Sequence, residues 1–247
     1  MPGPTLTTAD GLVLAGRRWL VDGIPRAAVV VVHGFSASAA CPHVEALGDV
    51  LHAEGFDVVT YDARGHGESD GESTLGDHEQ HDVAAAVGLA RQRCDRIILV
   101  GASMGAIATL RYAVTDPDLA GAVAVSCPAR WRLPRNARGV IAAAMTRTPP
   151  GRRLMYRFAG VRVANRWTNP TPPIELVPNL AVPTVFVHGT IDRFIPLHDA
   201  AVLTEATPEP RRLTVVRGMG HAFEPSAIAP IRDAVAWALE KQVSAVS

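Results

Sequence analysis

In Arg96-Ile97-Ile98-Leu99-Val100-Gly101-Ala102-Ser103-Met104-Gly105 an apolar run meets a serine flanked at two-residue distance by glycines, and an apolar helical pattern, Met104–Val114, begins at once. The spacing GxSxG between a strand and a helix predicts a sharp turn with the serine in a strained backbone conformation. Bulk at Gly101 or Gly105 is expected to clash with neighbouring strands. Such a turn lifts the Ser103 hydroxyl above the C-terminal edge of a sheet, where open α/β sheets bind ligands. The Met104 N–H then lies at a helix N-terminus, placed to donate to a developing oxyanion.

Outward from this turn, short apolar runs alternate with longer helical patterns. The strand candidates are Gly11–Trp19, Ala27–Val32, Asp57–Tyr61, Arg96–Val100, Gly121–Val125, Thr184–Val187 and Arg212–Val216. They are rich in Val, Ile and Leu without clean alternation, as strands buried on both faces are. Helical patterns run over Pro42–Glu54, Asp77–Arg93, Met104–Val114, Leu197–Ala206 and Ala227–Lys241. The expected fold is α/β, a mostly parallel central sheet flanked by helices. Gly11–Trp19 follows an Asp10-Gly11 turn and is expected in an antiparallel edge hairpin. For 247 residues, area scaling predicts burial of about 70% of the extended chain's surface, enough for one large core.

One interval breaks the rhythm. Ser126 to Pro183 spans 58 residues, where one crossover helix with its loops needs roughly 20–30. It holds nine of the chain's 19 prolines, and ten arginines without one acid lie between Leu119 and Ile174. This reads as a small cap insertion, residues 129–178, over a single core domain of residues 1–128 and 179–247. Gly139–Met145 and Arg152–Phe158 are its expected short helices. The arginines either dock the cap on the acid-rich body through ion pairs, with Asp62–Asp82 the densest acidic stretch, or attract anionic substrates or lipid surfaces.

A nucleophilic serine needs a base and a group that orients the base. Asp192, in His188-Gly189-Thr190-Ile191-Asp192, and His221, in Gly218-Met219-Gly220-His221-Ala222-Phe223, each follow a strand's C-terminal end, so both can converge on Ser103. Taken singly, Asp192 also suits a turn or helix cap, and His221 a surface loop. His33-Gly34-Phe35 ends another strand; its loop supplies a second oxyanion donor through the Phe35 N–H, or is an ordinary glycine turn. Asp62-Ala63-Arg64-Gly65-His66-Gly67-Glu68-Ser69 reads as a tight supporting loop rather than proton-transfer machinery.

Taken in order, HGF, DxRGHGxSxG, GASMG, HGxxDxxxP and GHxF resemble the α/β-hydrolase superfamily, in particular its esterase, monoglyceride-lipase-like and serine-aminopeptidase-like branches. The resemblance covers nearly the whole chain and implies the α/β-hydrolase fold with a cap. It implies Ser103 as nucleophile, His221 as base and Asp192 as orienter, with the Phe35 and Met104 amides as the oxyanion hole. Ala106 stands where relatives often carry a third glycine, which touches helix packing and not the chemistry. Branches with an aspartate nucleophile are disfavoured by Ser103. The expected activity is hydrolysis of a small-molecule carboxylic ester through an acyl-enzyme, with no cofactor and no metal. Thioesterase, peptidase and carbon–carbon hydrolase activities share these motifs, and a ligand-binding relative with vestigial turnover is the non-enzyme alternative. Oligomeric state is not legible in the sequence.

Composition narrows the classes further. Lys plus Arg and Asp plus Glu both number 24, and zero net charge argues against a nucleic-acid binder. The apolar run Ala27–Val32 ends at His33, far short of the ~18 residues a membrane span needs. Three cysteines, Cys41, Cys94 and Cys127, are an odd number without a CxxC and are expected as free thiols. No basic or apolar leader region opens the chain, so a cytoplasmic location is expected. Asp77-His78-Glu79-Gln80-His81-Asp82 tempts a metal reading, but its histidines are three apart and not four. A solvated helix start is expected there. Cys127 is expected to pack. Trp131, Met155, Tyr156, Phe158 and Trp167 either line an acyl pocket or form the cap's own core.

Overall fold

A computed structural model describes residues 3–131, 141, 144–166 and 168–246. Its eight strands are β1 (Thr5–Thr7), β2 (Val13–Trp19), β3 (Ala28–Val32), β4 (Asp57–Tyr61), β5 (Ile97–Ala102), β6 (Gly121–Val125), β7 (Thr184–Gly189) and β8 (Arg211–Val216). They form one sheet in the order β1-β2-β4-β3-β5-β6-β7-β8. β1 and β2 form the antiparallel edge hairpin, β2 pairs antiparallel with β4, and the ladders from β4 to β8 are parallel. The short β1 is absent from the sequence reading. Only Leu6 of its three residues is buried, so no apolar pattern marks it, and Gly11 at φ +85° turns the chain back into β2.

The unbroken apolar runs have a simple cause. Ala28, Val30 and Val32 of β3 face one core cluster, while Val29 and Val31 face the other. The first cluster is covered by α2 (Glu79–Arg91), α3 (Met104–Ala113) and, after β7, the helix Leu197–Ala206. The second is covered by α1 (Pro42–Ala53) and the C-terminal helix Pro225–Val246. With both faces covered, each alternate side chain leaves water, at roughly 1.5–3 kcal/mol of stabilisation per large aliphatic residue. At the edge, β8 is only half-buried.

The segment between β6 and β7 carries α4 (Pro149–Ala159). Thr148 caps α4 by accepting the Gly151 N–H at 3.1 Å, Pro149 sits at its first position, and Gly160 ends it in the left-handed region. These signals make the helix longer than the expected Arg152–Phe158. The expected helix Gly139–Met145 falls largely outside the described residues, although 144–147 are helical. Past α4, Val163 bridges to Ser73. Further on come α5 (Pro173–Leu176), then α6 (Leu197–Ala206) after β7, and α7 (Pro225–Val246) after β8.

Of the two alternatives for the arginines of this segment, ion-pair docking is not seen: among the described residues, no arginine from Arg130 to Arg166 pairs with a carboxylate. Instead Arg162 donates to backbone carbonyls, Nε to Gly71 O at 2.9 Å and an Nη to Ser69 O. The backbone adds Ser73 N–H to Arg162 O at 2.7 Å and Arg162 N–H to Gly65 O at 2.8 Å. The solvated helix start expected at Asp77–Asp82 is corrected. The helix begins at Glu79, and Glu79 and Asp82 are fully buried. Glu79 accepts from the Ser73 and Thr74 hydroxyls and the Thr74 and Gly76 amides. Asp82 accepts from the Arg64 amide and guanidinium.

Candidate active site

Because β3 to β8 run parallel, their C-terminal ends share one edge, and the loops leaving that edge build the site. Ser103 has φ 54° and ψ −114°, a conformation disfavoured for any residue with a Cβ. Its amide still donates to Val125 O at 2.9 Å, so β6 grips the turn on one side. On the other side a Cβ on Gly105 would lie 2.3 Å from Val32 O, so β3 and α3 approach only with glycine there. Gly101 differs from expectation: its Cβ would meet Gly105 O and Thr109 Oγ1 of the following helix, both at 2.4 Å, and not a neighbouring strand.

The structure brings Ser103, His221 and Asp192 together. His221 Nε2 lies 3.0 Å from Ser103 Oγ, and His221 Nδ1 lies 2.7 Å from Asp192 Oδ2. Asp192 has no exposed side chain, whereas His221 is about a quarter exposed at 23%, so the chain of hydrogen bonds runs from the interior to the opening. The other oxygen of Asp192 accepts the Phe194 and Ile195 amides at 2.8 and 3.0 Å. Burial pushes the Asp192 carboxyl up, but the bond and charge of His221 and those two amides outweigh it and hold it below the usual range. It is therefore an anion at neutral pH.

Several supporting residues were not singled out from the sequence. Glu224 accepts the Gly220 and His221 amides at 2.7 and 3.1 Å, and Ser126, just past β6, accepts the Ala222 amide at 3.1 Å. His188 spans the Asp192 loop through Nε2, which donates to Ile195 O at 3.0 Å. Pro225 after Glu224 is a recognisable helix-start signal, but it does not mark the Glu224 carboxylate as the acceptor of the loop amides. Nothing local marks Ser126, whose partner is 96 residues away. Phe194 lies against the His221 ring, centroids 5.0 Å apart.

The loop after β3 lies against the serine. A Cβ on Gly34 would sit 3.2 Å from Ala102 O and 3.4 Å from Ser103 Cβ, so this glycine lets the Phe35 turn come close. His33 fastens that turn, with Nδ1 donating to Gly34 O at 2.8 Å and Nε2 accepting the Ala63 amide at 2.9 Å. This is a neutral tautomer, in keeping with burial, aided by His66, lowering its pKa to about 4. The Asp62–Ser69 loop is supporting structure: Asp62 accepts the Ala39 and Glu68 amides, and Arg64 is bound by Asp10 and Asp82.

A cavity of about 890 Å³ opens on Ser103 and is lined by Phe35 and Met104 as well as apolar side chains from the β6–β7 segment. The aromatic and methionine residues of that segment divide. Trp131 and Met155 line the cavity, Tyr156 and Phe158 are exposed, and Trp167 lies outside the described residues. Cys127 is buried in the core, where burial pushes its thiol far up, and all three cysteines are free. Among the described residues no helix is long and apolar enough to cross a membrane.

Sheet order, nucleophile-type turn and strand-end loops together define an α/β hydrolase. The chain belongs to the family described as serine aminopeptidase, S33, whose model matches residues 23–173. It is similar to the uncharacterized protein YqkD of Bacillus subtilis (strain 168), 27% identical over 187 residues, covering 68% of this chain but 57% of YqkD, just over half of that relative's length. It is 26% identical to the monoglyceride lipase of Rattus norvegicus over 254 residues, 89% of this chain and 83% of the lipase. The Pyrococcus furiosus esterase Pf2001 shares the fold with a TM-score of 0.73 at 22% identity, over 96% of this chain and 91% of that one.

Proposed function

We propose that the protein is a carboxylic-ester hydrolase with Ser103 as nucleophile, His221 as general base and acid, and Asp192 as the residue that orients His221. The observation that carries this reading is the continuous hydrogen-bond chain Ser103–His221–Asp192, at 3.0 and 2.7 Å, leading from a strained turn to a buried carboxylate. With Nδ1–H donated to Asp192, Nε2 is free to accept the Ser103 proton. Ser103 Oγ attacks the ester carbonyl as its proton passes to Nε2. Asp192 stabilises the imidazolium that forms. The tetrahedral oxyanion is held by the Met104 and Phe35 amides, both on residues that line the cavity beside Ser103. Nε2 returns the proton to the leaving alcohol. A water then loses its proton to Nε2 and attacks the acyl-enzyme, and Ser103 leaves with that proton.

Residues 129–178 act in this reading as a cap, whose described residues contribute much of the cavity's lining. An ester is favoured over an aminopeptide by the charge of that lining. A free α-ammonium needs an acidic partner, and the described residues lining the cavity include four arginines and no carboxylate.

Turnover of p-nitrophenyl esters by wild type and Ser103→Ala tests the assignment. The variant is expected to retain its circular dichroism and lose at least about a thousandfold in kcat. Activity within tenfold of wild type would sink the assignment. Faster cleavage of aminoacyl p-nitroanilides than of esters would move the enzyme to the peptidases.

A further inference from the structure

Outside the β6–β7 segment, eight arginines lie within 3.8 Å of a carboxylate. Inside it, the seven described arginines have none. Two of the seven have a visible structural use: Arg162 binds the Gly71 and Ser69 carbonyls, and Arg157 lies over the Phe158 ring. Four others, Arg130, Arg147, Arg152 and Arg166, line the cavity that opens on Ser103. Arg152 donates to the Arg147 carbonyl at 3.3 Å, which leaves its charge unbalanced.

Four like charges around one cavity repel each other, and no described acid on its wall offsets them. Phe35, Met104, Ile107, Met155 and Val163 also line the cavity, and apolar walls focus such a field. A neutral ester would leave that field unneutralised. An anion would neutralise it through charge-assisted, often bidentate, guanidinium bonds. The apolar wall, meanwhile, suits a hydrocarbon acyl portion.

Resting on the ester-hydrolase reading above, we propose that the cavity selects amphiphilic esters that carry an anionic group, a carboxylate or a phosphate, and that Arg130, Arg147, Arg152 and Arg166 receive that group.

The test compares substrates matched in acyl length. One pair is p-nitrophenyl hexanoate and mono-p-nitrophenyl adipate; the other is hexanoylglycerol and hexanoylglycerol phosphate. At low ionic strength, kcat/KM is expected to favour the anionic member of at least one pair by about tenfold or more, and that advantage should shrink as salt rises. Which pair shows it identifies the anion as carboxylate or phosphate. Arg147 and Arg166 are exposed, so the double variant R147Q/R166Q is suited to test charge without disturbing the core. Its anionic-to-neutral ratio is expected to fall several-fold, and R147K/R166K, which keeps the charges, should retain most of the preference. A ratio near one for both pairs in wild type, or a ratio unchanged in R147Q/R166Q, overturns the proposal. Loss of all turnover would count against the hydrolase reading and not against charge selection, which binding then decides. On Ser103→Ala, methyl hydrogen adipate should bind about tenfold more tightly than methyl hexanoate, or hexanoylglycerol phosphate than hexanoylglycerol, and equal binding within both pairs overturns the proposal.

Discussion

At Asp192 the two carboxylate oxygens have separate partners, Oδ1 the Phe194 and Ile195 amides and Oδ2 the His221 ring. Asp192→Asn keeps an accepting oxygen for the amides, so the loop should hold its shape. Its amide nitrogen would then face His221 Nδ1 and favour the tautomer that cannot accept the Ser103 proton. We expect kcat to fall about 10³–10⁴-fold with KM changed only a few-fold, read from steady-state kinetics on a p-nitrophenyl ester. A near wild-type rate would place the orienting group elsewhere. His33 gives a second residue-scale prediction. Its folded pKa of about 4 lies below the ordinary histidine value of 6.5, so the unfolded chain binds a proton first as pH falls. The stability that follows from neutral burial is complete above about pH 6.5 and is lost as pH drops towards 4. For this fully buried ring the loss between pH 7 and pH 5 is about 2 kcal/mol. Urea denaturation at the two pH values measures it, and His33→Gln should flatten the slope.

Among the elements, the β5–α3 turn is the most constrained. A methyl group on Gly105 would meet two backbone carbonyls, Val32 O at 2.3 Å and His33 O at 2.5 Å. Neither can swing aside as a flexible side chain would, so β3 and α3 must separate. Gly105→Ala is expected to cost about 3 kcal/mol or more and to depress kcat by shifting both Ser103 and the Phe35 loop. Thermal melting and ester turnover measured together check this. A melt unchanged from wild type would show that the turn is looser than its geometry. The sequence revealed the turn through residue type alone, because only glycine tolerates such approaches. It named the wrong neighbour for Gly101, whose contact is with the next helical turn and not a strand. Strands β3 to β8 were legible because both faces of most of them are buried. β1 was not, since three residues with a single buried side chain leave no periodicity to read.

Across the whole molecule, the β6–β7 segment is joined to the loop after β4 by Arg162 and a short backbone bridge around Ser73. Arg162→Ala removes the guanidinium bonds to Gly71 and Ser69. It is expected to expose the segment to chymotrypsin at Tyr156 and Phe158 at least several-fold faster, while the β-sheet core stays resistant. A cleavage rate equal to wild type would show that the backbone bridge, with the bonds of Arg111 to Thr171 O and of Thr168 to Asp77, suffices without it. By itself the sequence determined the strand–helix rhythm, the position of the serine turn and the strand ends from which Asp192 and His221 emerge. Those depend on residue type and local order, since glycine spacing and continuous apolar runs are properties of neighbouring residues. Tertiary structure alone decided that Ser126 and Glu224 hold the His221 loop, that Glu79 and Asp82 are buried acceptors and not a solvated helix start, and that Arg162 docks through carbonyls. The same holds for the arginines left facing the cavity. In most of these cases the partners are distant in the chain, and in all of them a polar side chain looks the same in sequence whether water, a backbone amide or another charge will satisfy it.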